Sequence, residues 1–320
     1  MLIGIKETIE LIRSGRLLHI AADERLLNQL PKGNWVGGTT PYFIAETGGI
    51  LSEEKLFVQP LDIAREFRIA LYDSDTIHSI GADAYDNGFT ILVLPFGSKV
   101  LETFAEDAPD IEDIFLKSIA GWVSGFNLEK GGEAKAFNGQ DGVARADKAV
   151  ALHVCLPENK IASIGIVNIF SADNKSPVIE FSAKAFEATE CLIDGREVNF
   201  ASYIEENRID TQLPLVANYS GSMVNISIKQ VEGSTVKFYA PVFPSTQYRF
   251  ARLVGDYAAA FEKDIRSNRK AEPVFSCNCI LNYLYGGLEG KSTAPFMGPV
   301  TFGEVAYQLV NQTLVYITVQ

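Results

Sequence analysis

The sequence predicts a mixed α+β fold made of two strand-rich halves with flanking helices, packed as one compact unit. In the first part of the chain, apolar runs of strand length alternate with segments whose apolar residues recur at helical spacing. Later, alternating Val, Ile, Thr and aromatic residues dominate, as is typical of strands. Residues 171–177 break the pattern with Ser, Asp, Asn and Pro. We therefore expect halves at 1–175 and 176–320.

The first half contains most of the predicted helices. Residues 3–14 carry isoleucines at helical spacing and are followed by Gly15, a common helix stop. Asp23 is placed to cap a second helix that ends before Pro31. Three further helices are predicted, over 73–80, 100–104 and 111–122. The strands predicted here are 17–22, 35–44, 55–59, 67–72 and 89–94.

Two features lead out of the first half. Residues 128–147 are rich in Gly, Ala, Lys and Asn, which indicates a mobile loop or lid over a cleft between the halves. Residues 149–156 and 161–170 have the pattern of a hairpin around Pro157.

The second half is predicted to consist mainly of strands. They span 178–183, 185–193, 223–231, 235–239, 246–253, 273–279, 297–307 and 309–319. Asp194-Gly195 predicts a tight hairpin turn, and helices are expected over 200–207 and from Asp256 to Ser267. The final strand is expected to lie firmly against the core.

Composition narrows the classes of function. The net charge is −12 and the pI about 4.8, which disfavours nucleic acid and anionic membrane surfaces as partners. The charges in 1–13 do not fit a signal peptide, so we expect a soluble, cytoplasmic protein. Cys277 and Cys279 lie two residues apart on a predicted strand and cannot bridge each other without distortion, and two further ligands at usable spacing are lacking, so neither a disulfide nor a zinc site is predicted, and no cofactor is expected.

Several motifs resemble the FIST family of intracellular signal-transduction sensors. The C-terminal half of that family has a Gly-Glu segment, an Asn-x-Thr-Leu strand and a strand ending in Ser-Cys, which Gly303-Glu304, Asn311–Leu314 and Ser276-Cys277 match. An arginine common after that cysteine is absent, and Asn278 stands there. In the N-terminal half, Gly37–Thr40 resembles the family's Gly-Cys-Ser-Thr turn with the cysteine replaced.

Each candidate site residue also has a structural interpretation. Gly37, Gly38, Thr39 and Thr40 fit a ligand-binding turn, because glycines admit close backbone approach and threonines offer hydroxyls, but a plain turn between strands fits as well. Cys277 is a nucleophile or a buried structural thiol.

The remaining candidates lie near the C-terminus. Glu304 is an exposed strand carboxylate or a buried, partnered one; the resemblance favours a site. Tyr283 covers a ligand or packs in the core, and Asn311 is expected to close an Asx-turn with its own backbone.

These residues predict a non-catalytic sensor that binds a small molecule, amino-acid-like or an amine, in a cleft between the halves. The ligand-binding residues would be Gly37, Gly38, Thr39, Thr40, Cys277, Tyr283, Phe302, Gly303 and Glu304. The resemblance also implies a downstream signalling protein as partner. The alternatives are a hydrolase or transferase that uses Cys277, and an interaction scaffold that has lost its ligand site.

Overall fold

The structure is a computed structural model that describes residues 1–219, 222–268 and 272–320. It confirms the mixed α+β class: 17% of the residues are helical and 42% lie in strands, so sheets form most of the regular structure. The chain divides into two units. The first contains 1–167, 265–309 and 314–320, and the second contains 168–264 and 310–313.

This division differs from the expected halves 1–175 and 176–320. Most of the C-terminal segment lies in the first unit, because the strands at Gly298–Thr301 and Leu314–Val319 pair with Tyr42–Ala45 and Ala162–Val167, respectively. The composition break at 171–177 is real, but the chain returns to the first unit beyond it.

The α-helices are short. Their bounds are α1 Ile5–Arg13, α2 Glu24–Leu27, α3 Ile80–Asp83, α4 Lys99–Asp107, α5 Phe200–Glu206, α6 Tyr257–Asn268 and α7 Ile280–Tyr285. Two 3-10 turns span Ile77–Ser79 and Ala108–Asp110. Among the described residues, no helix combines the length and the apolar character that a membrane crossing requires.

The first sheet has helices on one face. In spatial order its strands are β1 Leu2–Ile3, β6 Leu56–Pro60, β2 Leu18–Ala22, β3 Trp35–Thr39, β10 Ala136–Asn138 and β11 Val143–Arg145. Ile12 of α1 and Leu27 of α2 pack with Ile20 and Trp35 into a buried cluster. The segment 128–147, which was predicted to be a mobile loop or lid, contributes two strands to this sheet. Phe137 of this segment packs into the same cluster.

In the second sheet, five of the six strands are buried along their whole length. Its order is β26 Gln308–Val310, β25 Glu304–Ala306, β9 Ile119–Ser124, β8 Gly88–Pro95, β12 Ala149–Cys155 and β7 Glu66–Tyr72. The helix predicted over 111–122 is wrong: residues 111–118 contain turns and bends but no helix, and residues 119–122 belong to β9. A short apolar run such as this one fits a buried strand as well as a helix, and here every residue of β9 is buried.

The third sheet contains the final strand. Its order is β13 Ala162–Val167, β27 Leu314–Val319, β23 Pro273–Cys279, β24 Gly298–Thr301, β4 Tyr42–Ala45 and β5 Gly48–Leu51. The interior position of β27 confirms that the last strand is held firmly. The predicted hairpin of β12 and β13 is wrong, because β12 pairs with β7 and β8 while β13 pairs with β27.

The second unit has two antiparallel sheets. One has the order β17 Arg196–Asn199, β16 Glu190–Ile193, β14 Ile179–Glu180, β22 Tyr248–Phe250, β18 Leu215–Tyr219 and β19 Ser222–Ile226; the other has the order β15 Ala185–Ala188, β21 Thr235–Val242 and β20 Ile228–Glu232. The predicted Asp194-Gly195 turn joins β16 to β17, and both residues have positive φ.

Buried amides hold residues 310–313 within the second unit. The Nδ2 atom of Asn225 donates to the carbonyl oxygen of Asn311 at 3.2 Å, and the hydroxyl of Ser227 donates to Oε1 of Gln312 at 2.8 Å. The side chain of Asn311 is buried and makes no hydrogen bond to any described residue. The expected Asx-turn at Asn311 is therefore wrong.

Candidate functional site

Residues that line a cleft follow the carboxyl ends of three strands of the first unit. Strands β2 and β3 are parallel, and so are β8 and β9. Asp23 follows β2, Thr40 follows β3 and Gly125 follows β9. The amide of Gly125 donates to the carbonyl oxygen of Thr39 at 2.7 Å, so the ends of β3 and β9 are joined. Carboxyl ends of parallel strands are where α/β sheets commonly bind ligands.

A cleft of about 470 Å³ lies at these strand ends. Its walls come from α2, from the residues after β3, β5 and β9, and from the loop before β10. The lining residues are Asp23, Glu24, Arg25, Asn28, Thr39, Thr40, Pro41, Glu53, Gly125, Phe126, Asn127, Lys130, Gly131, Gly132 and Glu133. All of them belong to the first unit. The cleft has the size of a small-molecule site.

Thr39 and Thr40 form the inner end of this cleft, but their hydroxyls are engaged. The Thr39 hydroxyl donates to the carbonyl oxygen of Gly125 at 2.7 Å and accepts from the amide of Lys135 at 2.9 Å. The Thr40 hydroxyl donates to the carbonyl oxygen of Val300 at 2.8 Å and accepts from the amide of Tyr42. Both threonines thus shape the cleft and join its walls.

The carboxylate of Glu53 accepts hydrogen bonds from three side chains at the cleft. Its Oε1 accepts from Nδ2 of Asn127 at 2.8 Å, and the ammonium of Lys130 lies 2.7 Å from Oε1 and 2.6 Å from Oε2. An Nη2 of Arg25 approaches at 3.3 Å. The hydrogen bonds from Lys130 and Asn127 lower the pKa of Glu53, so it is ionised at neutral pH.

The remaining charges leave the cleft with an excess of carboxylates. Asp23 caps α2 by accepting from the amide of Arg25 and also pairs with the Nε of Arg25 at 2.9 Å. Glu24 and Glu133 share Lys135, at 2.7 and 3.2 Å. Four carboxylates and two cations line the cleft, and Lys135, outside the lining, pairs with two of the carboxylates, so one negative charge remains in excess and the field favours a cationic group.

Gly37 and Gly38 lie inside β3, one residue short of the cleft. A Cβ at Gly37 would lie 2.0 Å from the carbonyl oxygen of Ile20, and one at Gly38 would lie 2.7 Å from Val93 and 2.9 Å from Trp122. These glycines allow close packing against β2 and against the second sheet. The absence of side chains at these positions lets the strands pack closely in the core. Neither glycine lines the cleft, where a ligand contact was expected.

Phe302, Gly303 and Tyr283 lie behind the walls of the cleft. Phe302 packs edge-on against Phe126, with ring centroids 5.1 Å apart, and it is buried. The carbonyl of Gly303 accepts from the amide of Val123 in a strand-like contact. Tyr283 is buried beside Tyr42, whose hydroxyl accepts from the amide of Leu128. Phe302 thus supports the lining residue Phe126, and Tyr283 packs on Tyr42, which holds Leu128 next to the lining residue Asn127; none of the three predicted residues lines the cleft.

Cys277 and Glu304 are both buried, and neither lines the cleft. Glu304 is fully buried, and its Oε1 accepts from the Thr301 hydroxyl at 3.1 Å. The thiol of Cys277 contacts the carbonyl oxygen of Gly121 at 3.4 Å. Burial, and secondarily the charge of Glu304, raises the pKa of Cys277 well above its ordinary value. Such a thiol is poorly suited to act as a nucleophile.

The histidines near the core are satisfied by structural hydrogen bonds. Nε2 of His19 accepts from the indole N–H of Trp122 at 2.9 Å. The ring nitrogens of His153 contact the hydroxyls of Tyr72 and Thr90 at 2.9 and 2.8 Å. In the described ranges, no group of three His, Cys, Asp or Glu side chains is arranged to hold a metal ion.

The chain can be assigned to a protein family. The chain matches the model of a family of unknown function, DUF6976, over residues 3–320, and it belongs to that family. No curated protein and no solved structure matches the chain. The family description gives no activity, so function is argued from the cleft.

The sequence prediction reached two of the cleft residues, Thr39 and Thr40, and missed the charged ones. Asp23 was identified as a helix cap, and Lys130 lay in a segment read as a loop. The usable signal was the position of polar residues directly after buried strands, at Asp23 and Thr40, and shortly after one, at Asn127. Glu53 carried no such signal, because it lies in the turn between β5 and β6.

Proposed function

We propose that this protein is a non-catalytic small-molecule-binding protein whose cleft accepts the ammonium group of an amine or an amino-acid-like compound. The observation that carries the proposal is the Glu53 carboxylate, which is fixed by Asn127 in a cleft of about 470 Å³ at the ends of parallel strands. A sensor role in the cytoplasm, with a downstream signalling partner, belongs to the same proposal.

Charge and hydrogen bonding support a cationic ligand group over an anionic one. The cleft lining carries more carboxylates than cations, and Arg25 is already engaged by Asp23. A ligand carboxylate would normally be matched by an available guanidinium fork. An ammonium group needs only oxygen acceptors, which Glu53 supplies.

The proposed ligand site differs from the expected one in its residues. It uses Thr39 and Thr40 as walls, adds Glu53, and leaves Cys277 and Glu304 in the interior. The cysteine-dependent alternative has little support, since the Cys277 thiol is buried and its pKa is raised.

A thermal-shift screen of amines, amino acids, carboxylates and nucleotides tests the proposal. A ligand present at about 100 times its Kd stabilises the fold by roughly 2.7 kcal/mol, a shift that such a screen detects. We expect hits among amines and amino acids. Glu53→Gln should abolish them, while Glu158→Gln, at a fully exposed glutamate, should keep them. A screen in which only anions bind would refute the proposal.

A further inference from the structure

We propose that Lys130 is an internal competitor for this site, and that a primary amine binds by replacing the Lys130 ammonium on Glu53. The inference rests on the proposed function and adds the group that the ligand must displace. It specifies the ligand chemistry as an alkylammonium with N–H donors, because that is the chemistry of the lysine side chain itself.

The carboxylate of Glu53 is held in place independently of the Lys130 ammonium. Asn127 is nearly buried, and its Oδ1 accepts from the amides of Glu129 and Lys130 at 3.0 and 3.3 Å. These bonds fix the amide group, whose Nδ2 then donates to Glu53. The side chain of Glu53 is only 17% exposed. An acceptor that stays ordered when its cation leaves is preorganised for another cation.

Lys130, in contrast, is weakly held. Its side chain is 64% exposed, and its ammonium contacts Glu53 alone among the ion pairs formed by described residues. Exposed ion pairs contribute little to stability, because water screens the attraction and ordering a long side chain opposes it. Rotation of the lysine side chain into solvent therefore frees both oxygens of Glu53 at small cost, and the backbone amide of Lys130 keeps its bond to Asn127.

A second recess supplies a place for the alkyl part of the ligand. Arg25, Glu53, Asn127 and Lys130 also line a neighbouring recess of about 840 Å³, so the Glu53–Lys130 pair stands where the two recesses meet. Other lining residues of this recess include Leu26 and Leu51, and Leu51 is exposed. An alkyl chain attached to an ammonium on Glu53 can cover these leucines, which favours an alkylamine over ammonia itself.

Arg25 does not take over the role of Lys130. Its Nε lies 2.9 Å from Asp23, whereas its Nη2 reaches Glu53 only at 3.3 Å. Asp23 is the better partner because it is also fixed by the amide of Arg25 as the cap of α2. We therefore expect removal of Lys130 to leave Glu53 open to an external amine.

The test is a titration of the full chain with n-butylamine, which reproduces the end of a lysine side chain, at low salt and neutral pH by NMR or calorimetry. Lys130→Met should tighten butylammonium binding about 2- to 5-fold, the range expected for removal of an exposed ion pair. Glu53→Gln should abolish binding. The control Lys99→Met removes an exposed lysine of α4 that pairs with Glu102 and should leave the affinity unchanged.

Tetramethylammonium separates exchange from a general effect of charge. It carries the same charge but no N–H, so it cannot reproduce the two contacts of Lys130 with Glu53. An equal gain for both cations in Lys130→Met, or unchanged butylammonium affinity in that variant, would overturn the exchange while the proposed function stands. No butylammonium binding to the wild type or to Lys130→Met would overturn the exchange. The proposed function fails with it only if the wider ligand screen is also empty.

Discussion

Acid pH should destabilise the protein through two buried histidines that stay neutral in the folded state. Burial lowers the pKa of His19 to about 3 and that of His153 to about 4, against an ordinary value of 6.5. Below pH 6.5 the unfolded chain binds protons at these positions and the folded chain does not. The free energy of unfolding therefore falls as the pH drops toward the folded pKa values.

The hydrogen bonds of both histidine rings also favour the neutral form in the folded state, so they too predict lower stability at acid pH. Nε2 of His19 accepts the indole N–H of Trp122, so a proton on that nitrogen would face a donor. The Tyr72 hydroxyl donates to Asp83 at 2.9 Å, which leaves it to accept from Nε2–H of His153, while Nδ1 accepts from Thr90. Protonation of Nδ1 would lose the Thr90 donor. Both rings are thus arranged as neutral tautomers.

The magnitude follows from linkage. Each buried histidine lowers the free energy of unfolding by about 1.4 kcal/mol per pH unit within the window, so His153 alone accounts for about 3 kcal/mol between pH 6.5 and 4. Urea unfolding followed by tryptophan fluorescence at pH 7, 6 and 5 measures the slope. His153→Gln should lower stability at pH 7 but flatten this slope by about 1 kcal/mol per unit averaged over this range, because the unfolded-state imidazole is only partly protonated near pH 6.5.

The exposed His78 provides the matched control, because it is the third histidine and lies at the surface beside Asp107. An unchanged slope in His153→Gln, or the same flattening in His78→Gln, would refute the reasoning, since burial would then not be the cause.

Three further predictions concern packing, buried amides and thiols. Gly38→Ala should cost about 1–3 kcal/mol of unfolding free energy by overpacking the two sheets, while Gly255→Ala, where the space is open, should stay within about 0.5 kcal/mol; chemical denaturation checks both. Asn311→Leu should leave stability unchanged or raise it by about 1–3 kcal/mol, because its amide has no partner among the described residues, whereas Asn225→Leu should lower it; equal losses would contradict this. Cys277 should resist iodoacetamide at neutral pH until urea unfolds the chain, because the thiol is buried with a raised pKa; fast labelling of the native protein, read by peptide mass, would overturn that assignment.

Local patterns predicted elements well and sheet partners poorly. The helix α1, the strand β8 and the Asp194-Gly195 turn follow from periodicity and turn chemistry, which act over a few residues. The pairing of β13 with β27 joins residues that are far apart in the chain, and no local signal specifies it. The same limitation explains the expected boundary near 175, because the return of the C-terminal strands to the first unit depends on such pairings.

The cleft was only partly predictable for a related reason. Thr39 ends a strand whose parallel neighbour is β2 and Thr40 follows it, and a polar residue in that position is a known signal. Glu53 enters the site from a turn between a strand of the third sheet and a strand of the first. Lys130 reaches it from the segment after β9. Only the packing of three sheets brings these residues together, so their spacing in the sequence does not predict the site.

The residues that carry the FIST resemblance are mostly core residues in this structure. Cys277, Phe302 and Glu304 are buried, and Asn311 is buried in the second unit. Buried residues mainly maintain the packing of the core, so a resemblance among them is evidence about the fold and not about the ligand. The FIST relationship thus stays a prediction. The functional argument depends instead on the cleft at Glu53, where the ligand screen tests whether an ammonium group binds and the Lys130 variant tests whether it binds by exchange.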